Sequence, residues 1–165
     1  MHKRIEGPVL YLDFDGVLHP DAAYWINGQI VLRCEGRSLF EWAPVLAECL
    51  EPYPEVQIVL STSWVRVLSY NKARAWLPDS LAECVIGATW HSSMNRYWWD
   101  GLSRYQQIRL HCMRHGITRW IAIDDDLTGW PDDSREQLVA TDSNLGIAAP
   151  DVRSLLLRKL EGLWK

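Results

Sequence analysis

Two aspartates directly follow an apolar run in the stretch VLYLDFDGVLHP, residues 9–20. The near-continuous apolar run over residues 9–12 is typical of a strand that is covered on both faces of a parallel sheet. Side chains alternate along an extended chain, so Asp13 and Asp15 project from the same face, and Gly16 permits a sharp turn where the strand ends. The pattern therefore predicts two carboxylates that point towards one location at the end of a buried strand.

The remaining sequence alternates strands with helices. We predict strands at 56–64, 83–89, 119–126 and 137–141, and helices at 38–50, 66–77, 103–115 and 149–164. The clearest helix boundaries are the capping boxes Ser38-x-x-Glu41 and Ser103-x-x-Gln106 and the terminator Gly116. Strands joined by helices imply right-handed crossovers, and hence an α/β fold with a mainly parallel sheet layered between helices.

Length and composition favour a single domain that has no membrane span. The chain has 165 residues, of which 48% are hydrophobic, and its net charge of -4 argues against a generally basic nucleic-acid surface. No signal-peptide pattern precedes the first strand, and no run approaches the ~18 apolar residues of a membrane helix, so we expect a cytoplasmic protein without a membrane partner. The four cysteines are scattered and show no C-x-x-C pair, which favours buried free thiols.

Three groups of polar residues stand at the carboxyl ends of predicted strands, namely residues 13–15, 61–63 and 124–126. In a parallel sheet these ends lie at one edge, where ligands bind. Carboxylates gathered there would repel one another at neutral pH, and a hard cation such as Mg²⁺ would offset the repulsion and also bind phosphate oxygens. The sequence therefore predicts a magnesium and phosphate site at this edge.

A hydroxyl and a cationic side chain would complete such a site. The hydroxyl of Ser61 or of Thr62 can donate to a phosphoryl oxygen. Arg104 is the candidate cation because it follows the predicted N-cap Ser103 and so lies in the first turn of a helix, where free amides also favour anions. Lys72 is the alternative cation.

Several motifs in the sequence resemble those of the haloacid dehalogenase (HAD) superfamily. DFDGVL resembles its first motif, IVLST its second, Arg104 its basic third motif and IAIDD its acidic fourth, in the same order along the chain. More narrowly, LDFDGVLHP, IVLSTSW, VIG-x-T and AIDDD together resemble the small HAD domains of multidomain RNA-repair proteins, over about residues 9–147. The resemblance implies a three-layer Rossmann-like fold over one domain, residues 1–165, with a minimal cap, and a phosphatase activity.

The resemblance also implies a role for each motif residue. Asp13 would be the nucleophile that takes the phosphoryl group as an aspartyl-phosphate, and Asp15 the acid that protonates the leaving oxygen and later deprotonates water. Ser61 would hold a phosphate oxygen, and Arg104 would steady the phosphoryl group. Magnesium would be held by Asp13, by Asp124 and by the backbone carbonyl of Asp15, and Asp125 would be a further ligand or would orient metal-bound water.

The substrate is predicted from the features around this site. Residues 20–37 occupy the place of a flap or cap, and the Asn27-Gly28 pair with alternating neighbours indicates a β-hairpin. Since a large cap does not fit between the first two motifs, an open site is expected, which favours an RNA or DNA end over a small metabolite. The candidate substrate contacts are Gly16, Ser61, Thr62, Arg96, Trp98 and Trp99, of which the last three could stack a base and contact a phosphate.

Other interpretations stay open. The same chemistry could serve a small-molecule or nucleotide phosphatase. A phosphate-binding module of a repair or signalling system would keep the pocket without turnover. If the substrate is an RNA or DNA end, we also expect a repair protein as a partner. His19 could lie near the leaving group or have a structural role beside Pro20. His111 and His115 share a helix face, and we expect a surface position for them rather than zinc binding.

Overall fold

The computed structural model describes residues 2–163, in which strands and helices alternate. The strands are β1 Val9–Leu12, β2 Ala23–Ile26, β3 Gln29–Leu32, β4 Gln57–Leu60, β5 Val85–Ala88, β6 Trp120–Asp124 and β7 Leu138–Ala140. The helices are α1 Ala43–Leu50, α2 Ser63–Leu68, α3 Tyr70–Ala75, α4 Asp79–Ala82, α5 Arg96–Asp100, α6 Arg104–His115 and α7 Pro150–Gly162. Short 3-10 helices cover Asp132–Gln137 and Gly146–Ala148.

A five-stranded parallel sheet in the order β5-β4-β1-β6-β7 forms the centre of the molecule. Strand β1 lies in the middle and is fully buried at all four positions, as the apolar run predicts. Its side chains alternate between two apolar clusters. Leu10 and Leu12 belong to the cluster that includes Leu46 of α1 and Leu156 of α7, whereas Tyr11 belongs to the cluster that includes residues of α6. The predicted three-layer, Rossmann-like α/β architecture is confirmed.

Strands β2 and β3 form a separate antiparallel hairpin, which follows β1 and precedes α1 along the chain. Asn27 and Gly28 occupy its two-residue turn with φ of 51° and 78°, the positive values that a type I′ turn requires. Ala23 and Ile30 pack against the main core and so fix the hairpin to the body of the molecule. The predicted hairpin is confirmed, and it lies within residues 20–37, where the sequence predicts a flap.

The beginning of the first helix differs from the prediction. The Ser38 capping box does not open a helix at 38, because α1 begins at Ala43 and the intervening Phe40 has a φ of 59° that no right-handed helix accommodates. Pro44 near the helix start also favours this later beginning, since proline is tolerated only in the first turn. The Ser38 amide still donates to the Glu41 carboxylate at 3.3 Å, so half of the capping interaction exists in a turn.

The predicted continuous helix over 66–77 is also wrong. Two shorter helices, α2 and α3, meet at Ser69, whose φ of 113° breaks the helical path. The strand predicted at 56–64 ends at Leu60, and Ser63 already begins α2. Helices α4 and α5 were not predicted. The predicted end of the last helix at Trp164 lies outside the described residues, and α7 is described as far as Gly162.

Two expectations from composition can be compared with the structure. Among residues 2–163, none of the helices combines the length and apolar character that a bilayer crossing requires. All four cysteines are free thiols, as predicted, but the predicted burial is confirmed only for Cys49 and Cys112, because Cys34 and Cys84 are partly exposed.

Candidate active site

The carboxyl ends of β1, β4 and β6 place three polar residues at one level of the sheet. Leu12 pairs with Leu60 and with Ile123, so the residues that follow each of them, Asp13, Ser61 and Asp124, are neighbours at this edge. Backbone hydrogen bonds fix the alignment: the Asp13 amide donates to the Ile123 carbonyl at 3.2 Å and the Ser61 amide to the Leu12 carbonyl at 2.8 Å. The predicted meeting of the three polar groups is therefore observed.

Asp13, Asp124 and Asp125 form an acidic cluster. One carboxylate oxygen from each residue lies within 4.8 Å of the other two, and the first two residues are buried. The Ser143 hydroxyl donates to Asp125 Oδ2 at 3.0 Å and orients this carboxylate. Gly16 permits the close approach, because a Cβ atom there would lie 2.1 Å from Asp125 Oδ2 and the residue has a φ of +74°. Glycine at 16 is thus required by the geometry of the cluster.

Arg104 is the cation of the site. Its Nε lies 3.2 Å from Asp124 Oδ2, its Nη2 lies 3.8 Å from Asp13 Oδ1, and its Nη1 donates to the Ser61 carbonyl at 2.7 Å. The predicted capping box of Ser103 and Gln106 is present and begins α6 directly before this residue. Lys72, the alternative cation, lies exposed on α3 and makes none of these contacts.

The electrostatics of the cluster call for further positive charge. Burial, followed by the Asp124 carboxylate, raises the pKa of Asp13 well above its usual range, and Arg104 opposes this only in part. Burial also raises the pKa of Asp124 to about 6, although the Arg104 guanidinium acts in the opposite direction. Burial lowers the pKa of Arg104 itself, but the carboxylates of Asp13 and Asp124 raise it by more.

The ligand atoms that this cluster offers fit a hard divalent cation. The contact between Arg104 Nε and Asp124 Oδ2 lies outside hydrogen-bond geometry, so this buried oxygen has no hydrogen-bond donor among the described residues. Three carboxylates that supply only oxygen ligands, one of them with a buried oxygen that accepts no hydrogen bond, match the preference of Mg²⁺.

The Asp15 carboxylate stands apart from the acidic cluster and has its own partners. His19 Nε2 lies 2.8 Å from Asp15 Oδ1, and the Trp64 indole Nε1 donates to Asp15 Oδ2 at 3.0 Å. The Phe40 amide donates to His19 Nδ1 at 3.2 Å, so the neutral imidazole carries its proton on Nε2 and donates it to the carboxylate. His19, which is fully buried, therefore has a defined structural contact with the first motif. Sequence reasoning missed Trp64, because nothing in its local pattern shows that its ring reaches β1.

The two neighbouring hydroxyls at the end of β4 differ in their contacts. The Ser61 hydroxyl is buried and has no hydrogen-bond partner among the described residues. The Thr62 hydroxyl accepts a hydrogen bond from the Trp64 amide at 3.3 Å and caps α2. The Ser61 hydroxyl is therefore the one that is free to contact a ligand.

A cleft of about 570 Å³ opens beside Arg104 and includes Thr62 and Asp126 in its lining. Of the aromatic cluster predicted to contact substrate, Trp99 lines this cleft, although the residue is buried and its ring packs 5.8 Å from that of Trp90. Trp98 is half exposed and does not line the cleft, and the Arg96 guanidinium lies 3.9 Å from the Asp100 carboxylate. The structure thus brings Trp99 towards the site but not Trp98 or Arg96.

Comparison with protein families gives one match. The family described as the HAD domain in Swiss Army Knife RNA repair proteins matches residues 9–152, which run from β1 into α7 and include every residue of the site described above. Searches of curated proteins and of solved structures returned no match.

Proposed function

This chain belongs to the family of HAD domains in Swiss Army Knife RNA repair proteins, and we propose that it is a magnesium-dependent phosphatase that hydrolyses a phosphomonoester at an RNA end. One observation carries the proposal. Asp13 lies in a buried acidic cluster beside Arg104, whereas Asp15, only two residues away, is held outside this cluster by two hydrogen-bond donors. One carboxylate is therefore placed to attack a phosphoryl group and the other to transfer a proton.

Asp13 acts as the nucleophile. The Phe14 amide donates to Asp13 Oδ1 at 2.9 Å and holds the carboxylate in place. In the first step a carboxylate oxygen of Asp13 forms a bond to phosphorus while the bond to the leaving oxygen breaks, and Asp15 gives its proton to that oxygen. In the second step Asp15 removes a proton from water, the water oxygen attacks phosphorus, and the bond to Asp13 breaks to release inorganic phosphate.

The separate position of Asp15 suits this proton transfer. A carboxylate that binds a cation cannot readily carry a proton, and the Asp15 side chain is not a member of the acidic cluster. The donors from His19 and Trp64 hold both oxygens of the Asp15 carboxylate in a fixed position. The different surroundings of the two aspartates support separate nucleophile and acid–base roles in the proposed mechanism.

The other residues stabilise charge on the phosphoryl group. Asp13, Asp124 and Asp125, with the backbone carbonyl of Asp15, would hold Mg²⁺, which offsets negative charge on the carboxylates and phosphoryl oxygens. The free hydroxyl of Ser61 donates to a phosphoryl oxygen. Arg104 supplies a fixed cation beside the nucleophile.

The choice of an RNA end rests on the open edge of the sheet and on the family. The β2–β3 hairpin is the one insertion between β1 and α1, and a four-residue strand pair does not enclose a small substrate. A polymer end can enter such a site. Action within a repair system, together with a partner repair protein, is part of the same proposal.

The proposal is tested by phosphate release from the purified protein. We expect activity with magnesium on 5′- or 3′-phosphorylated RNA, loss of activity in EDTA, and a decrease of at least about 1000-fold in kcat for Asp13→Asn because the nucleophile is removed. Asp132→Asn, which changes a fully exposed carboxylate far from the cluster, is the matched control and keeps full activity.

Other results separate the alternatives. Activity on mononucleotides and aryl phosphates alone would support a small-molecule or nucleotide phosphatase. DNA and RNA oligomers of the same sequence show whether the sugar matters. Release of phosphate from none of these substrates, with RNA still bound, would support a phosphate-binding module instead.

A further inference from the structure

Two adjoining pockets lie between the β2–β3 hairpin and the body of the molecule, and the smaller one includes Asp15. A small pocket of about 120 Å³ is lined by Asp15, Trp64 and Val67 on one side and by Trp25 and Ile30 of the hairpin on the other. A larger pocket of about 560 Å³ between the hairpin and helices α2 and α3 also includes Trp25 and Ile30 in its lining. The two pockets share these residues and therefore adjoin each other at the hairpin, and we call the pair the hairpin groove.

Exposed aromatic rings line the hairpin groove. Trp25 is 56% exposed and Trp76 is 42% exposed, which is unusual for tryptophans that have a large apolar core available. The Trp76 ring stacks on that of Phe40 with centroids 5.7 Å apart and meets the edge of the buried Trp64 ring at 5.6 Å. Packing thus fixes Trp76 in place while one side stays open, so a ligand would not have to order this ring on binding.

The charge of the larger pocket suits a polyanion, whereas the Asp15 carboxylate lines the smaller pocket. Lys72 is the only charged side chain among the described residues that line the larger pocket, and no carboxylate lines it. This differs from the chain as a whole, whose net charge is -4. A cation between exposed tryptophans is the arrangement with which proteins bind single-stranded nucleic acid, because bases stack on the rings and a phosphate contacts the cation.

The direction of the groove agrees with the chemistry of the site. Asp15 protonates the leaving oxygen in the proposed mechanism, so the part of the substrate that carries this oxygen must lie on the Asp15 side of the phosphoryl group. The hairpin groove begins there, whereas the cleft beside Arg104 does not include Asp15 in its lining. We infer that the hairpin groove binds the single-stranded RNA segment that carries the reacting phosphate, with a base stacked on Trp25 and a phosphodiester near Lys72. This inference rests on the proposed function.

Binding and turnover are measured separately in the test, so that the two proposals can fail independently. The binding assay uses fluorescence anisotropy of labelled single-stranded RNA decamers with a 5′- or a 3′-phosphate, in an Asp13→Asn background that prevents turnover. We expect Trp25→Ala to weaken binding at least about fivefold, the loss of one stacked base. Trp25→Tyr keeps a ring and restores most of the affinity. Met113→Ala, a change at a 72% exposed position on α6, leaves binding unchanged.

Turnover with the wild-type nucleophile gives the second readout. We expect Trp25→Ala to raise KM for the RNA decamer at least about fivefold more than KM for an aryl phosphate, which has no base to stack. The inference would be overturned if Trp25→Ala bound RNA as tightly as the parent protein. It would also be overturned if Trp98→Ala, and not Trp25→Ala, lost RNA binding. If RNA binding depends on Trp25 but no substrate releases phosphate, the groove stands and the proposed phosphatase function fails.

Discussion

Asp13 and Asp15 are two residues apart, yet their surroundings give them different chemistry. Asp13 is buried among carboxylates beside Arg104, whereas Asp15 accepts hydrogen bonds from His19 and Trp64. The position of both aspartates at the end of β1 could be predicted, because the apolar run, the alternation of side chains along a strand and Gly16 can all be read from the local sequence. The donors to Asp15 could not, because a ring 49 positions away reaches the carboxylate only through packing of α2 on the sheet.

The contacts of Ser61 and Thr62 predict opposite effects of two single substitutions. Ser61→Ala removes a buried hydroxyl that has no partner, so we expect the free energy of unfolding to change by less than about 0.5 kcal/mol and kcat to fall about 100-fold. Thr62→Ala removes the cap of α2, so we expect a loss of about 1 kcal/mol in stability with a smaller effect on kcat.

Urea unfolding and steady-state kinetics on the same preparations check this pair. Thr62→Ser keeps the hydroxyl and serves as the control, with stability close to that of the wild type. A larger loss of kcat in Thr62→Ala than in Ser61→Ala would show that the phosphate contact has been given to the wrong hydroxyl.

The break between α2 and α3 shows where local sequence does not determine an element. The stretch 66–77 has helical spacing, but Ser69 has a φ of 113° and a ψ of 162°, a region that is largely restricted to glycine. The hydroxyl of Ser69 accepts from the Lys72 amide at 3.3 Å and caps α3, which partly offsets the strain. The break separates α3, which packs against β5, from α2, so tertiary packing overrides helix propensity at this position.

Backbone strain at Ser69 predicts that a glycine there stabilises the protein. Relief of roughly 1–3 kcal/mol of strain is opposed by roughly 0.5–1 kcal/mol of added chain entropy in the unfolded state and by a small loss of capping. We therefore expect Ser69→Gly to raise the free energy of unfolding by about 1 kcal/mol. Ser69→Ala, which keeps the strain and loses the cap, lowers it by about 1 kcal/mol. Urea titration measures both; the reverse order would contradict the strain at this residue.

Elements that depend on short-range signals agree best with the sequence. The hairpin turn at Asn27-Gly28 and the capping box and terminator of α6 appear where they were predicted, because their backbone geometry is set by the residues themselves. The beginning of α1 differs because the positive φ of Phe40 is stabilised by aromatic contacts with Phe14 and Trp64, which come from distant parts of the chain. Local signals thus predict the hairpin turn and both ends of α6, whereas the Ser38 capping box fails because packing determines the backbone at Phe40.

At the scale of the whole molecule, α6 connects the site to the apolar cluster that contains Tyr11. Arg104 in its first turn contacts the acidic cluster, and farther along the helix His111 packs under the sheet against Tyr11 of β1. The expected surface position of His111 is wrong, since the residue is only 4% exposed. The many charged and polar residues of α6 obscure its apolar face, so the sequence does not reveal this burial.

Burial of His111 predicts a loss of stability in acid. Burial, together with the charges of His115 and Arg114, lowers its pKa to about 3, against about 6.5 in an unfolded chain. Below pH 6.5 the unfolded state therefore binds a proton that the folded state does not, and the stability present above pH 6.5 is progressively lost as the pH falls towards 3. For this residue alone the loss between pH 7 and pH 4 is at most about 3 kcal/mol.

The contribution of His111 is isolated by a difference measurement, because carboxylates also titrate in this range. His111→Gln cannot acquire a charge but can still accept a hydrogen bond from the Tyr11 hydroxyl, which lies 2.8 Å from His111 Nδ1. We expect its free energy of unfolding to fall less steeply than that of the wild type between pH 7 and pH 4, whereas His91→Gln, at an exposed histidine, follows the wild type. Parallel curves for wild type and His111→Gln would mean that this histidine is protonated without unfolding. Convergence of the two proteins in acid would instead show that protonation of His111, which joins α6 to Tyr11 of β1 in its neutral form, opposes the folded state.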